Sequence, residues 1–375
     1  MPSLMPSVLR VMRCGLIACS CLALCTAAAF AQNDPRVALH ARAGWDALAA
    51  NKPREAAESF RQALAGDPKN PLLHLGAGAA AYVERRDVDA RAALEQALKL
   101  NPGLTRAREL LGLVLYRTGD LFGAVRVYEL IDPNAPQNEP AMTRLERWRR
   151  ELELHDRMNS VAGSGFTVLF EGAADAQLAE RAVASLARAA QRIGQALFTY
   201  PLRPISVVLY TGEQFRDITR APDWAAGAYD GIIRVPMRGA LENERELDRV
   251  LAHEFTHALV YSLAPRGVPA WLNEGLAAAL ERDDASELET APRELPVVPL
   301  AALQTSFGRF TGDQATLAYA TSANATRRLL AESGGVAVAN LLRDLGEGVD
   351  FDTAFSHRIQ RPFSTFQSDL AHSLP

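Results

Sequence analysis

The chain of 375 residues is poor in cysteine: it has four, and Cys14, Cys19, Cys21 and Cys25 all fall within the first 25 positions. Beyond them there is neither a disulfide framework nor a thiol to act as a nucleophile. An excess of one charge sign is also missing. With 40 Lys+Arg against 44 Asp+Glu the formal net charge is −4, which removes the electrostatic footprint of a nucleic-acid binder. Aromatic residues are sparse at 7%, yet a hydrophobic content of 48% excludes a disordered chain. Long apolar runs are rare too. The one that stands out, Cys14 to Phe30, has about 17 uncharged residues, near the lower limit for crossing a bilayer. It follows Arg10 and Arg13, ends Ala29-Phe30-Ala31, and gives way to Gln32-Asn33-Asp34-Pro35. This is the layout of a signal peptide cleaved after Ala31. The alternatives are an uncleaved membrane anchor and a lipoprotein box at Leu16-Ile17-Ala18-Cys19, which begins two residues after Arg13. Cleavage leaves 344 residues without cysteine, takes the charge to −6, and predicts a periplasmic or secreted protein with no stable membrane anchor.

Length predicts two to three domains, at about 100–200 residues each. A 34-residue step brings Gly44, Gly78 and Gly112 into one column, and Ala56, Ala90 and Ala124 into a second. Phe60, Leu94 and Tyr128 form a third column, and Pro68, Pro102 and Pro136 a fourth. The segments Ala56 to Leu64 and Ala90 to Leu98 read as parallel second helices, ended by Asp67-Pro68 and Asn101-Pro102. The third unit departs from the pattern, with Ile131 where Ala63 and Ala97 stand. The spacing resembles the tetratricopeptide repeat, in which small residues let paired helices approach closely. The resemblance implies an all-α superhelix of three repeats over 35–136, whose concave face takes a protein or peptide partner. An alanine-rich helical bundle with accidental spacing is the alternative. Residues 137–158, with Leu145, Trp148, Leu152 and Leu154 on one face from Glu139 onward, read as the capping helix such arrays need. His40, His74 and His155 read as packing or surface residues.

Asn159 to Gly165 reads as a boundary, and the texture then changes. Phe166 to Phe170, Ile205 to Tyr210 and Asp230 to Met237 read as strands, with a helix over Ala174 to Leu197. Pro236 predicts that the third strand is a sheet edge, because proline cannot donate to a neighbour. The acidic stretch Glu281 to Pro296 reads as an exposed connection. Helical patterns return from Leu300 onward, over Ala325 to Ala331 and Val336 to Leu345, with Gly334-Gly335 between them. These predict a helical subdomain closing one side of a cleft. His357 and His372 read as surface residues. Trp224 and Trp271 flank the segment that carries the chemistry, where they pack in the core or shape a pocket.

That segment is Val250-Leu251-Ala252-His253-Glu254-Phe255-Thr256-His257-Ala258-Leu259. Positions four apart on a helix point nearly the same way, so His253 and His257 can direct imidazole nitrogens at one ion. Glu254, beside the first of them, is placed to contact metal-bound water rather than the metal. A catalytic zinc takes three protein ligands and keeps one open position, so a third must come from nearby. Pro265 to Pro269 turns the chain, and Glu274 follows about one turn into the next helix, seventeen residues after His257. Glu281 is the rival, two turns further on.

His253-Glu254-x-x-His257 followed by Trp271-Leu272-Asn273-Glu274-Gly275 resembles the gluzincin metallopeptidases, specifically the peptidase MA-like domains. The resemblance covers 166–375. It implies an α+β, zincin-like fold of thermolysin type, zinc held by His253, His257 and Glu274, and Glu254 as general base. It also implies that the strand near Gly231 to Val235 pairs with an extended peptide or protein substrate. Tyr319 is the oxyanion donor by the same resemblance; a packed aromatic is the alternative, and Tyr261 a weaker rival. The expected protein is thus an exported zinc peptidase whose repeats recruit substrate or partner. The competing reading is a repeat-based binding scaffold whose metallopeptidase-like domain is silent. A purely structural zinc site fits poorly with a glutamate beside a histidine pair and no cysteine.

Overall fold

The computed structural model describes residues 34–172, 175–201, 203–219, 227–236, 244–282, 298–307, 310 and 312–372, the side chains of 371 and 372 excepted. The predicted signal segment with its four cysteines, Trp224, Met237, residues 283–297 and the His372 side chain lie outside the described residues. The described chain is mostly helical with one small sheet, and it divides into two compact units, Met1–Leu152 and Glu153–Pro375. No described helix is long and apolar enough to cross a membrane.

The first unit is three helix pairs: α1 (Pro35–Ala49) with α2 (Pro53–Gly66), α3 (Pro71–Val83) with α4 (Asp87–Leu100), and α5 (Thr105–Arg117) with α6 (Leu121–Tyr128). The recurring columns explain the pairing. A β-carbon built on Gly44 would fall 2.8 Å from the Phe60 ring, and one on Gly78 would fall 2.7 Å from Leu94. One on Gly112 would collide with Tyr128. Each first helix therefore omits a side chain where the second inserts its largest buried one, and Ala56, Ala90 and Ala124 are wholly buried beside these contacts. In the third pair α6 stops at Tyr128 after eight residues. Ile131 is buried beyond the helix end rather than within it, which is how the unit accommodates the larger side chain. Helix α7 (Glu139–His155) then covers the array with Leu145 and Trp148, the latter stacked on Tyr116 at 4.8 Å.

The boundary between the units falls in the last turn of α7, earlier than the glycine-containing stretch suggested. That stretch is not a linker, for Asn159–Gly163 is strand β1, antiparallel to β2 (Phe166–Phe170). Helix α8 (Ala176–Leu197) crosses to β3 (Ile205–Tyr210), which runs parallel to β2, and α9 (Gly212–Thr219) follows. The strands β4 (Ala228–Tyr229) and β5 (Ile233–Pro236) complete the order β1-β2-β3-β5-β4. Alternation sorts the side chains of β3. Val207 and Leu209 join the core under α8, whereas Val208 and Tyr210 join Phe215 and Ile218 of α9 on the other face. His155, read as a packing or surface residue, lies 2.7 Å from the Tyr210 hydroxyl in that second layer.

One expectation is corrected. β5 does not form the edge, because β4 pairs with it antiparallel, Tyr229 opposite Ile233 and Ala228 opposite Arg234. Pro236 tolerates this because β4 ends short of it, so its missing N–H costs no bond there. The remaining helices are α10 (Glu244–Leu263), α11 (Ala270–Leu280), α12 (Gly312–Glu347), α13 (Phe351–Ile359) and α14 (Phe363–His372). Helix α12 joins both predicted C-terminal patterns, bent at Gly334, whose φ of 76° only glycine adopts freely.

Candidate metal centre

Helix α10 begins with Glu244 and Glu246 in its first turn, where carboxylates meet the positive end of the helix dipole. Leu247, Val250, Leu251, Phe255, Ala258 and Leu259 bury it in the core of the second unit. His253 and His257 emerge together on the remaining face, with ring centroids 4.8 Å apart. The chain then reverses. Gly267 takes a φ of +80°, and Pro269 precedes the first residue of α11 and accepts from the Leu272 N–H at 3.0 Å. Trp271 and Leu272 are wholly buried, and they fix the rotation of α11 so that Glu274 returns to the histidines. Trp271 stacks on Phe363 at 5.8 Å, so it packs in the core and is not among the described residues that line the cavity beside the histidines.

Glu274 Oε2 lies 3.5 Å from His257 Nε2 and 3.8 Å from His253 Nε2. One donor atom from each of the three residues falls within 4.8 Å of the others. Atoms about 2.0–2.2 Å from a tetrahedral zinc stand about 3.3–3.6 Å from one another. The two separations from Glu274 are thus already close to those a single ion imposes, and the third lies within 4.8 Å.

Glu281, the rival ligand, sits elsewhere. Its Oε2 is 2.9 Å from His253 Nδ1 and accepts from Arg249 Nη1 at 2.9 Å, while Arg249 also donates to Glu246. With the Nδ1 proton given to Glu281, His253 Nε2 presents its lone pair towards Glu274. Two acceptors that face each other in a buried site favour a cation between them. This role was invisible in the sequence, because it depends on how α11 crosses α10.

The electrostatics have the same character. Burial raises the Glu254 carboxyl from its ordinary range, against the pull of the two imidazoles. Burial works against charge on His257, but the Glu274 carboxylate outweighs it and lifts the imidazole to about 9 in the metal-free state. Glu274 is itself held below the usual carboxylate range, because the imidazoles and the Tyr319 hydroxyl outweigh its burial. Among the described residues, Glu254 Oε2 and His257 Nδ1 are buried here without a hydrogen-bond partner of good geometry. The residues present fit a zinc ion, three donors converging with a fourth direction open to a cavity.

That cavity, of about 480 Å³, reaches from His253, Glu254, His257 and Glu274 to the turn after α10. Tyr319 lies on its wall, its hydroxyl within reach of Glu274 and its ring edge-on to Phe307 at 5.3 Å. Tyr261 lies on the wall too, edge-on to Tyr229 of β4 at 5.7 Å. Gly227 closes the site from the β4 side. A β-carbon there would come within 2.5 Å of Glu254 Oε1, so only glycine lets the edge strand approach. Gly275 has the corresponding place on α11, where a β-carbon would collide with the Ser322 carbonyl and Thr326 of α12. Gly227 carried no readable signal and Gly275 entered only as the last residue of the Trp271 to Gly275 motif, since the packing reason for each is a contact distant in sequence.

Comparison with known proteins bears on the first unit. Residues 42–104 and 89–139 match the tetratricopeptide repeat family. The chain therefore contains tetratricopeptide repeats in its N-terminal region, and such arrays generally bind protein partners. No curated protein matches the chain.

Proposed function

We propose that the second unit is a zinc-dependent peptidase of an exported protein, and that the repeats recruit its substrate or a partner. The observation that carries this is the convergence of His253, His257 and Glu274 donor atoms beside a buried Glu254. His253, His257 and Glu274 would hold the ion, with Glu281 orienting His253. Zinc in such a site polarises a peptide carbonyl and makes water nucleophilic near neutral pH. Glu254 accepts the proton that the attacking water loses and returns it to the leaving amine. Tyr319, on the cavity wall, donates to the oxygen on which negative charge develops. The backbone of β4 beside Gly227, rather than β5, borders the site where an extended peptide can lie. The uncharged run before Ala31 supports export.

A second reading has its own support: the N-terminal region carries tetratricopeptide repeats, which generally bind protein partners, as a scaffold with a silent second unit would. Cleavage of a broad peptide library by the full chain separates the two. Hydrolysis that is lost on chelation and restored by one equivalent of zinc supports the peptidase. Absence of hydrolysis in zinc-loaded protein supports the scaffold.

A further inference from the structure

Three tyrosines line the cavity, and their hydroxyls meet different things. That of Tyr319 is within reach of Glu274, at the metal end. Tyr261, one turn past His257 on α10, has interactions beyond its ring contact with Tyr229. The Tyr229 hydroxyl has no hydrogen-bond partner among the described residues; the groups that act on it are Tyr261 and Asp230. Asp230 is itself held by Arg234. Burial is the largest influence on the Tyr229 hydroxyl and raises it above its ordinary range, so it stays protonated as a donor. A tyrosine hydroxyl withdrawn from water normally finds an acceptor.

Alternation along β4 aims the ring. Ala228 packs with Val208 and Tyr210 on the face that carries α9, so Tyr229 turns to the opposite face, against the core that holds α10. There it meets Tyr261 edge-on at 5.7 Å. Strand β4 ends the sheet, and Gly227, two residues before Tyr229, is the residue pressed against Glu254. One short strand therefore borders the candidate base and carries an unmet donor further along the cavity. Tyr261 is four residues past His257, about 6 Å along α10 at 1.5 Å per residue. At about 3.4 Å per extended residue, that is the span of one or two residues of peptide. The side chains of Val260, Ala264 and Val268, which line this stretch, accept nothing, and the Arg266 guanidinium is a donor only. A bound peptide brings the missing acceptor in its backbone carbonyls.

Resting on the peptidase reading, we infer that Tyr229 is a substrate-positioning residue whose hydroxyl donates to a backbone carbonyl of the peptide, one or two residues from the scissile bond. Every peptide carries that acceptor whatever its side chains, so the contact sets the register of the chain without choosing a sequence. It lies away from the reacting atoms and is made equally in ground and transition states. Such a contact acts on KM rather than on kcat.

The test takes the tightest-binding peptide of a broad library, blocked at both ends, and shortens it one residue at a time from either end. Tyr229→Phe keeps the ring and removes the hydroxyl, and its melting temperature verifies that it folds. Cleavage is followed in the zinc-loaded full chain with and without this change. Binding of intact peptide is measured by calorimetry in chains that also carry Glu254→Gln. The expected result is about 2–10-fold weaker binding of the full-length peptide by Tyr229→Phe, the worth of one neutral hydrogen bond. KM should rise by the same factor, with kcat and zinc content unchanged. The penalty should vanish once the peptide is shortened past the contact from one particular end. A penalty equal at every length, no penalty at any length, or a fall in kcat with KM unchanged overturns the inference. A length-dependent penalty on binding without cleavage of any peptide leaves the inference standing and overturns the peptidase reading instead.

Discussion

His253 has two nitrogens, and its usefulness as a ligand depends on which one carries the proton. The 2.9 Å contact of Nδ1 with Glu281 keeps the proton there, and Arg249 holds Glu281 in turn. Outer partners of this kind typically change metal affinity by about 10–100-fold when removed. We expect Glu281→Gln to weaken zinc binding by that order in a competition titration, and Glu274→Ala, which deletes a proposed ligand, to weaken it more. Equal affinity in Glu274→Ala and wild type would discard Glu274 as a ligand. At this scale the sequence was legible where the geometry is local. Helical periodicity alone puts His253 and His257 on one face, and the turn at Pro265 to Pro269 puts Glu274 within reach. Glu281 could only be ranked as a rival ligand, since the distinction between touching an ion and touching a histidine is set by the crossing of two helices.

Glycine governs how the elements approach one another. In the repeats the glycine column faces the Phe60, Leu94 and Tyr128 column, a relation visible in the sequence itself as a 34-residue period. In the second unit the same device is used once at each place. Gly275 brings α11 against Ser322 and Thr326 of α12, and that approach sets the depth of Glu274. We expect Gly275→Ala to destabilise the fold by about 1–3 kcal/mol, as overpacked cores do. It should also weaken zinc binding although it removes no ligand. Denaturant unfolding and a zinc titration check the two effects together; wild-type affinity in a destabilised variant would show that helix spacing does not set the site. Repetition made the first set of glycines readable, and its absence hid the second. The same holds for β4, whose two residues carry no alternation, so that Pro236 alone suggested an edge strand in the wrong place. Strand β1 was hidden in a glycine- and serine-containing stretch whose composition resembles a linker.

For the whole molecule, composition excluded more than it assigned, and the scarcity of cysteine beyond residue 25 turned attention to histidine and carboxylate chemistry. The candidate ligands lie in the second unit, and the repeats contribute none of them. An ion bound to the native state alone stabilises what it binds, by about 2.7 kcal/mol when its free concentration is 100 times Kd. Thermal unfolding of the full chain should therefore show a chelator-sensitive component from the second unit, and a component from the repeats that chelation leaves in place. A chelator effect on the repeats alone would contradict the assignment.

The central claim is that Glu254 handles the proton at a metal centre whose ligands do not include it. Zinc content and peptide cleavage measured side by side in wild type and Glu254→Gln test this most directly. The expected result is one zinc per chain in both proteins, with cleavage in the wild type alone. Cleavage by Glu254→Gln at the wild-type rate, or loss of its zinc together with its activity, would contradict the account.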